Sequence, residues 1–317
     1  MKRFSDFEVS DQQEIYANVL ALRDSGFGYK KIRNWLSSQG ISISLGTLSY
    51  WRNKKKNFTS RKNSFEAIPS KELAYVLGVM FGDGAISRHE KNHDYCIHLG
   101  AIDKEFVEKF SECVSRLLGK KQPYPVHWCK SGIYEANIRS KELYFFIKGV
   151  KENLDTGKPF IEKHPAEFIQ GLADSEGCPA IRATNKFSVS VCIAASTNIN
   201  LLFYSKDLIY RKYDISSTIY TNHKSGDQDS TIDGRLITRT KDVFGLHINK
   251  IRNVEEFCKK IGFSIIRKQK KLLDALFVFK KFGTYDGTLE WKKLYEKINN
   301  KWRLVKNEHH SLCRRAP

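Results

Sequence analysis

The chain has no apolar run near the roughly 20 residues that a membrane-spanning helix needs. Its start, Met1-Lys-Arg-Phe-Ser5, lacks the apolar stretch of a signal peptide. A soluble protein is therefore expected. Its seven cysteines are odd in number and include no Cys-x-x-Cys pair, which argues against a disulfide framework. Buried or incidental thiols in a reducing compartment follow, with the cytoplasm as the default location, or an organelle in a eukaryote. No serine-hydrolase triad and no phosphate loop is present. His89, His93 and His98 surround a polar hairpin, where surface histidines are common, so no zinc is assigned to them. Acidic residues are also scarce: 35 Asp+Glu against 54 Lys+Arg leave a formal charge of +19. Phosphate neutralisation is the obvious use of that excess, although an RNA-binding or ribosome-associated protein would satisfy it equally well. With 317 residues and 41% hydrophobic content, the chain has enough apolar material for two domains or more.

What the chain does contain is one pattern written twice. Val76-Leu-Gly-Val-Met-Phe-Gly-Asp-Gly84 and Ile169-Gln-Gly-Leu-Ala-Asp-Ser-Glu-Gly177 are apolar helices with small residues on one face, each ended by an acid and a glycine. Gly78 and Gly82 are four apart, as are Gly171 and Ser175, so each pair shares a helix face on which two backbones can approach closely. Pro69-Ser70 marks the start of the first helix, and His164-Pro165 with Glu167 opens the second. Gly84 and Gly177 fit the position after a helix end, where a left-handed backbone is easiest for glycine. Each helix is thus expected to stop just after its acid. Asp83 and Glu176 then sit at negative helix ends, and parallel pairing would bring two carboxylates and unpaired carbonyls together. All-oxygen ligation with room for water suits Mg²⁺ better than zinc, with Mn²⁺ as a substitute.

These residues resemble the LAGLIDADG homing endonucleases, specifically the monomeric kind with two motif copies. Gly78, Asp83 and Gly84 match Gly171, Glu176 and Gly177 at a constant offset of 93 residues. The stretch from about Ser70 to Phe282 has the length and element order of two αββαββα halves. Phe81-Gly82 and Asp174-Ser175 replace the motif's Asp-Ala, at positions that vary widely in the family. The resemblance implies an α+β fold of two pseudo-symmetric halves forming a DNA-binding saddle. It also implies hydrolysis of one phosphodiester per strand across the minor groove, leaving short 3′ overhangs. The carbonyls of Gly82 and Ser175 are then extra candidate metal ligands. Family members place a basic residue beside each scissile phosphate; Ile266-Arg-Lys-Gln-Lys270 resembles that segment, which selects Lys268, and Thr156-Gly-Lys158-Pro selects Lys158 in the first half.

The first 56 or so residues read as a separate all-α module. Ile15, Val19 and Leu22 form a helical stripe, Gly26-Phe-Gly28 breaks it, and Ile32, Trp35 and Leu36 would pack inward from a second helix. Ser44 can cap a third helix whose Leu45, Leu48 and Trp51 face the core, which is a helix-turn-helix pattern. Thr47, Ser49, Tyr50 and Arg52 would then face a major groove, and Lys30, Lys31 and Arg33 the phosphates. The alternative is a small three-helix bundle used for protein contact. A basic polar linker follows over residues 57–69.

The halves are expected at residues 70–160 and 161–283, with a helix and tail over 284–317. Tyr95, Ile97 and Leu99 alternate with Cys96 and His98, and Tyr134, Ala136 and Ile138 with Glu135, Asn137 and Arg139, across a turn at Lys130-Ser131-Gly132. A helical stripe of Phe106, Val107, Phe110 and Val114 lies between them, and a short helix from Lys141 to Val150 closes the half. The second half repeats the order, with Phe187, Val189, Val191 and Ile193 inward. His98, Lys130, Glu135, Asn137 and Arg139 are the candidate DNA contacts of the first half. Arg182, Ser188, Ser190, Thr218 and Tyr220 are those of the second, together with His247 and Asn249. The longer Thr221–Lys241 segment, with a hairpin turn at Ile232-Asp-Gly-Arg235, should extend this ribbon and adds Arg235. Residues after Gly287, through Trp291, Leu294, Tyr295 and Ile298, read as a final amphipathic helix.

The expected function is a free-standing, intron-encoded endonuclease, acting as a monomer on a long, roughly palindromic double-stranded DNA site. A transcription regulator that binds without cutting, or an intron RNA maturase with RNA as partner, is the alternative. An intein is disfavoured by the initial Met and the lack of a terminal His-Asn.

Overall fold

The apolar stripes resolve into two units, Met1–Ser64 and Phe65–Pro317, in the computed structural model. The structure describes residues 1–7, 9–53, 65–89, 94–230, 236–298 and 301–305. Most of the basic linker, the 232–235 turn with Arg235, His93 and the end of the tail therefore lie outside the described residues.

The first unit has three helices, α1 (Val9–Asp24), α2 (Tyr29–Ser38) and α3 (Leu45–Asn53). Gly26 adopts φ +86° between the first two, a conformation that side chains disfavour. Ile15, Val19, Ile32, Leu36, Leu48 and Trp51 are buried together. Ser44 caps α3 by accepting from the Thr47 N–H at 3.1 Å. Two expectations fail here. Trp35 is 40% exposed rather than inward, because Ile32 and Leu36 already fill the buried face of α2. The unit is also not wholly helical: β1 (Lys2–Arg3) pairs in parallel with β2 (Ile41–Ser42), tying the chain start to the turn before α3.

The second unit begins with α4 (Lys71–Phe81), whose residues Leu73 to Met80 are all buried. A helix apolar on every side must have partners on every side. Leu73, Ala74 and Leu77 pack into one core, while Tyr75, Val76, Val79 and Met80 pack into another. The first half continues through β3 (Ala85–His89), β4 (Asp94–Ala101), α5 (Lys104–Leu117), β5 (Val126–Trp128), β6 (Tyr134–Arg139) and α6 (Lys141–Glu152). After the short α7 (Lys158–Ile161), the second half runs through α8 (Pro165–Glu176), β7 (Cys178–Ala183), β8 (Phe187–Ser196), α9 (Ile199–Tyr213) and β9 (Thr218–His223). It then inserts β10 (Gln228–Ser230) and β11 (Leu236–Thr238) before β12 (Val243–Ile248) and α10 (Ile251–Lys260).

The two four-stranded antiparallel sheets share one topology: β3-β4-β6-β5 answers β7-β8-β12-β9. Alternation places Ile97, Leu99, Ala136 and Ile138 in one core, and Phe187, Val189, Val191 and Ile193 in the other. Where β10 and β11 form their own antiparallel pair, the first half has only the Cys129–Ile133 turn, with Gly132 at φ +80°. Beyond α10 come α11 (Ile266–Phe282) and α12 (Asp286–Leu294).

The final amphipathic helix expected from the sequence is corrected: α12 ends at Leu294, and β13 (Tyr295–Ile298) pairs antiparallel with β14 (Lys301–Leu304). Trp302 donates its indole N–H to Ile181 O at 3.1 Å, Val305 N–H reaches Leu294 O at 3.0 Å, and Trp291 stacks on Tyr295 at 4.1 Å. These long-range anchors outweigh the helical spacing of the apolar residues.

Candidate active site

Ser70 caps α4 by accepting from the Leu73 N–H at 3.1 Å, and Pro165 occupies the first turn of α8. Between these starts and the acids the two helices lie backbone against backbone. A Cβ at Gly78 would come within 2.9 Å of Leu172 N and closer still to Phe168 O; one at Gly171 would come within 3.0 Å of Val79 N and closer still to Tyr75 O. The contacts are reciprocal at the 93-residue offset, which is a local two-fold axis read directly from packing. Gly82 meets Ser175 in the same way one turn later, with its Cβ position 3.1 Å from Glu176 Cγ.

The glycines after the acids have a different role from the one expected. Gly177 has φ −89°, and neither it nor Gly84 has a positive φ. They are needed for space. A Cβ at Gly177 would lie 2.6 Å from Ile193 O and 2.7 Å from Ala173 O, and one at Gly84 would lie 2.6 Å from Met80 Sδ. The first helix also ends sooner than expected: α4 stops at Phe81, Gly82 forms its C-cap and Asp83 lies beyond, whereas Glu176 is the last residue of α8.

Asp83 is exposed and Glu176 half-buried, so the pair opens to solvent. Burial raises the carboxyl pKa of Glu176 above its ordinary value and the Asp83 charge raises it further, the electrostatic signature of two acids sharing a site. Partial desolvation of its carboxyl at the helix end likewise raises Asp83, although the residue as a whole is exposed, and the Lys268 ammonium opposes the shift in both. The four C-terminal carbonyls of a helix lack intrahelical donors, and the residue four beyond Ser175 is Pro179, which has no N–H to offer. Two acids and helix-end carbonyls form an all-oxygen donor set. An all-oxygen set of this kind is the donor chemistry that suits a hard cation such as Mg²⁺.

Lys268, near the start of α11, is only 6% exposed. Its ammonium donates to Asp174 O at 2.6 Å and Ala173 O at 3.2 Å, at the C-terminal end of α8, and burial lowers its pKa. Lys158 is not its counterpart. It pairs with Asp155 at 2.6 Å and lies 5.4 Å over the Tyr204 ring, since the α7 turn points it at its own neighbours and α9. Lys151, near the end of α6, occupies the matching place: it donates to Met80 O at 2.6 Å and Gly84 O at 3.4 Å, and Met80 is the 93-offset partner of Ala173. Burial lowers the pKa of Lys151 too. The sequence offset fails to relate Lys151 to Lys268 because their supporting helices are not equivalent in chain order; the only sequence signal was a lysine beyond the expected end of its helix.

Among the strand residues, β4 and β6 pair His98 with Asn137 and place Arg139 on the same face. Arg139 is already engaged, with its Nε 2.9 Å from both oxygens of Asp94. Glu135 accepts from the Cys129 thiol, and Lys130 is exposed in the turn. In the second half Arg182 pairs with Ser188, and Ser190 Oγ donates to Ala180 O at 3.2 Å. Thr218 lies opposite His247; Tyr220 packs edge-on to His247 at 5.6 Å and accepts from Asn249 Nδ2 at 3.1 Å. Asn222, missed in the sequence, joins this group beside His247 over Gly245, and its alternation with Thr218 and Tyr220 was the available signal. In the first unit Lys30, Lys31, Arg33, Ser49 and Tyr50 are exposed, and Thr47 Oγ1 lies 2.9 Å from Ser44 Oγ. The side chain of Arg52 lies outside the described residues.

Residues 163–262 match the model of the LAGLIDADG-like domain family. That segment is a LAGLIDADG-like domain. Over 278 residues it is 29% identical to the uncharacterized protein MJ0398 of Methanocaldococcus jannaschii, covering 87% of this chain and 98% of that one. The chain is similar in structure to I-DmoI in complex with DNA and Mn, at 19% identity over 62% of this chain and 98% of that chain, with a TM-score of 0.41. A full-length DUF199/WhiA from Thermatoga maritima is similar at 14% identity over 73% and 68%, with a TM-score of 0.40.

Proposed function

We propose that this protein is a site-specific DNA endonuclease that hydrolyses one phosphodiester on each strand with Mg²⁺. The observation that carries the reading is the meeting of Asp83 and Glu176 at the base of the α4–α8 pair, beside Lys268. The net charge of +19 supplies the attraction for a polyphosphate backbone. The outward faces of the two sheets present Asn137 and His98 in one half and Tyr220, His247 and Asn249 in the other, polar side chains suited to base edges.

Asp83 and Glu176 would hold the ion, with the carbonyls of Gly82 and Ser175 as further donors. When bound, it supplies Lewis-acid stabilisation of the phosphate and activation of water. The remaining chemistry belongs to the chain. Lys268 and Lys151 set positive charge at the two motif-helix ends, where a pentavalent phosphorane gathers negative charge. The close helix contact fixes the distance between the two acids, and the sheets hold the duplex in register with them. Two centres related by a pseudo-two-fold axis suit a long, roughly palindromic site cut on both strands.

The three-helix unit, with its exposed Lys30, Lys31 and Arg33, also suits a regulator that binds DNA without cutting. Retention of both acids favours the nuclease. The test is to select cleavable sites from a randomised DNA library with full-length protein and Mg²⁺. Linearised product is expected, and neither Asp83→Asn nor Glu176→Gln should yield it while both still bind the selected site. Binding without cutting at any Mg²⁺ concentration refutes the nuclease, as does full cleavage by either variant.

A further inference from the structure

The two halves differ sharply at two motif-helix positions. Leu77 and Phe81 of α4 correspond, at the 93-residue offset, to Gln170 and Asp174 of α8. Gln170 and Asp174 are one turn apart and share a helix face. Asp174 is only 1% exposed, and a carboxylate so deeply buried requires partners. It has them: it accepts from Tyr75 OH at 2.9 Å, from Ser264 N–H at 2.9 Å, and from Ser264 Oγ. Gln170 donates to Ile261 O at 2.7 Å and accepts from Lys109 Nζ at 2.5 Å, and that ammonium lies 4.1 Å over the Tyr75 ring.

The bonds to Ile261 and Ser264 act on the segment that leads into α11, while those from Tyr75 and Lys109 tie the same two α8 side chains to α4 and α5. Gly262 turns it with φ +63°, and Phe263 N–H donates to Gln269 Oε1 at 2.8 Å. The first turn of α11 is then fastened to the first half of the protein. Ile266 N–H donates to Glu105 Oε1 at 3.2 Å, and Arg267 grips Asp103 with bonds of 2.6 and 2.7 Å. The circuit closes when Lys268 returns its ammonium to the carbonyl of Asp174 itself. Asp174 thus holds Ser264 with its side chain and Lys268 with its backbone. In the first half Leu77 and Phe81 offer no hydrogen-bonding side-chain group, and Lys151 reaches Met80 O and Gly84 O from the end of α6, with no counterpart of the Asp174–Ser264 bond among the described residues.

We infer that Asp174 and Ser264 are positioning residues for Lys268, which makes the centre in the second half a rigidly framed one, whereas the lysine of the first half is carried by α6. The inference rests on the nuclease reading for its consequence: the two strands are cut by centres that respond separately to perturbation. A satisfied buried network fixes a side chain more tightly than its members would singly, and displacement of a catalytic group by about 1 Å costs on the order of a hundredfold in rate.

The test uses full-length protein with Ser264→Ala, Asp174→Asn and the conservative Ser264→Thr. The first readout needs no DNA: acetylation of individual lysines by N-acetoxysuccinimide, followed by mass spectrometry. Lys268 should react about tenfold faster in Ser264→Ala and Asp174→Asn, as expected for a side chain released from a buried network, with Lys151 unchanged and Ser264→Thr close to wild type. The second readout is a supercoiled plasmid bearing a site that the wild type cuts. Nicked circle should accumulate in Ser264→Ala, with DNA affinity unchanged, because one strand is cut slowly and the other normally. Unchanged Lys268 labelling, or equal acceleration at Lys151, overturns the positioning role. An equal slowing of both strands overturns the separate response of the two centres. A wild type that never cuts overturns the nuclease reading instead, and the labelling still decides the positioning.

Discussion

Gly78→Ala gives the sharpest measure of the helix contact on which the site depends. The added methyl would lie 2.9 Å from Leu172 N and closer to Phe168 O, so the helices must separate by about 0.5 Å to restore an ordinary contact of 3.4 Å to the nitrogen alone. The obstructing atoms are backbone on a buried helix, so no side chain can swing aside. Overpacking of this kind costs about 1–3 kcal/mol, against which Ala recovers about 0.8–1.0 kcal/mol of helix propensity. Because the clash is with backbone, the upper end of the range applies, and a net loss of about 2 kcal/mol follows. In a unit of this size that lowers Tm by about 5 °C. Gly149→Ala in α6 is the matched control: its Cβ would have no atom within 4 Å, so only the propensity gain remains. Thermal unfolding of both variants, followed by far-UV circular dichroism, should move Tm in opposite directions. If Gly78→Ala were as stable as wild type, the close approach of α4 and α8 would not be what holds the two acids together.

Two further outcomes follow from the electrostatics. Burial lowers the folded pKa of Lys268 below its ordinary 10.5, so the folded state binds fewer protons than the unfolded one between the lowered value and 10.5. The stability of wild type relative to Lys268→Met should be flat at neutral pH, rise with pH through that window and level off above it; urea titrations in which the gap narrowed with rising pH would contradict the buried placement. On the DNA side, replacing Lys30, Lys31 and Arg33 with Ala should flatten the slope of log affinity against log salt by about 0.9 for each residue that meets a phosphate. An unchanged slope would remove the three-helix unit from the binding surface.

Local chemistry was legible where one side chain decides the outcome. The Ser70 and Ser44 caps, the core alternation of β4, β6 and β8, and the positions of the small residues in the paired helices all follow from residue type and spacing. Errors arose where a distant partner decides. Trp35 has the spacing of a core residue, yet Ile32 and Leu36 occupy the available face. Tyr295 and Ile298 continue a helical stripe, yet Trp302 and Val305 draw the chain into a hairpin. Gly84 and Gly177 matter for space rather than for a left-handed backbone: at Gly177 the crowding carbonyls of Ile193 and Cys192 come from β8, whose approach a sequence does not display, while at Gly84 the obstruction is Met80 and Val79 of α4, the helix just before it.

The sequence by itself determined the duplication, because Gly78, Asp83 and Gly84 recur at a fixed offset as Gly171, Glu176 and Gly177 and leave a periodic trace in one dimension. It determined the sign of the field and the residues able to line two helices without side chains between them. Only the tertiary structure decided that Lys151 rather than Lys158 answers Lys268, and that Asp174 joins the segment before α11 to the motif helix. Those relations link residues on non-equivalent helices or about 90 positions apart. Closure of such distant segments is set by the packing of whole elements, for which local spacing carries no code.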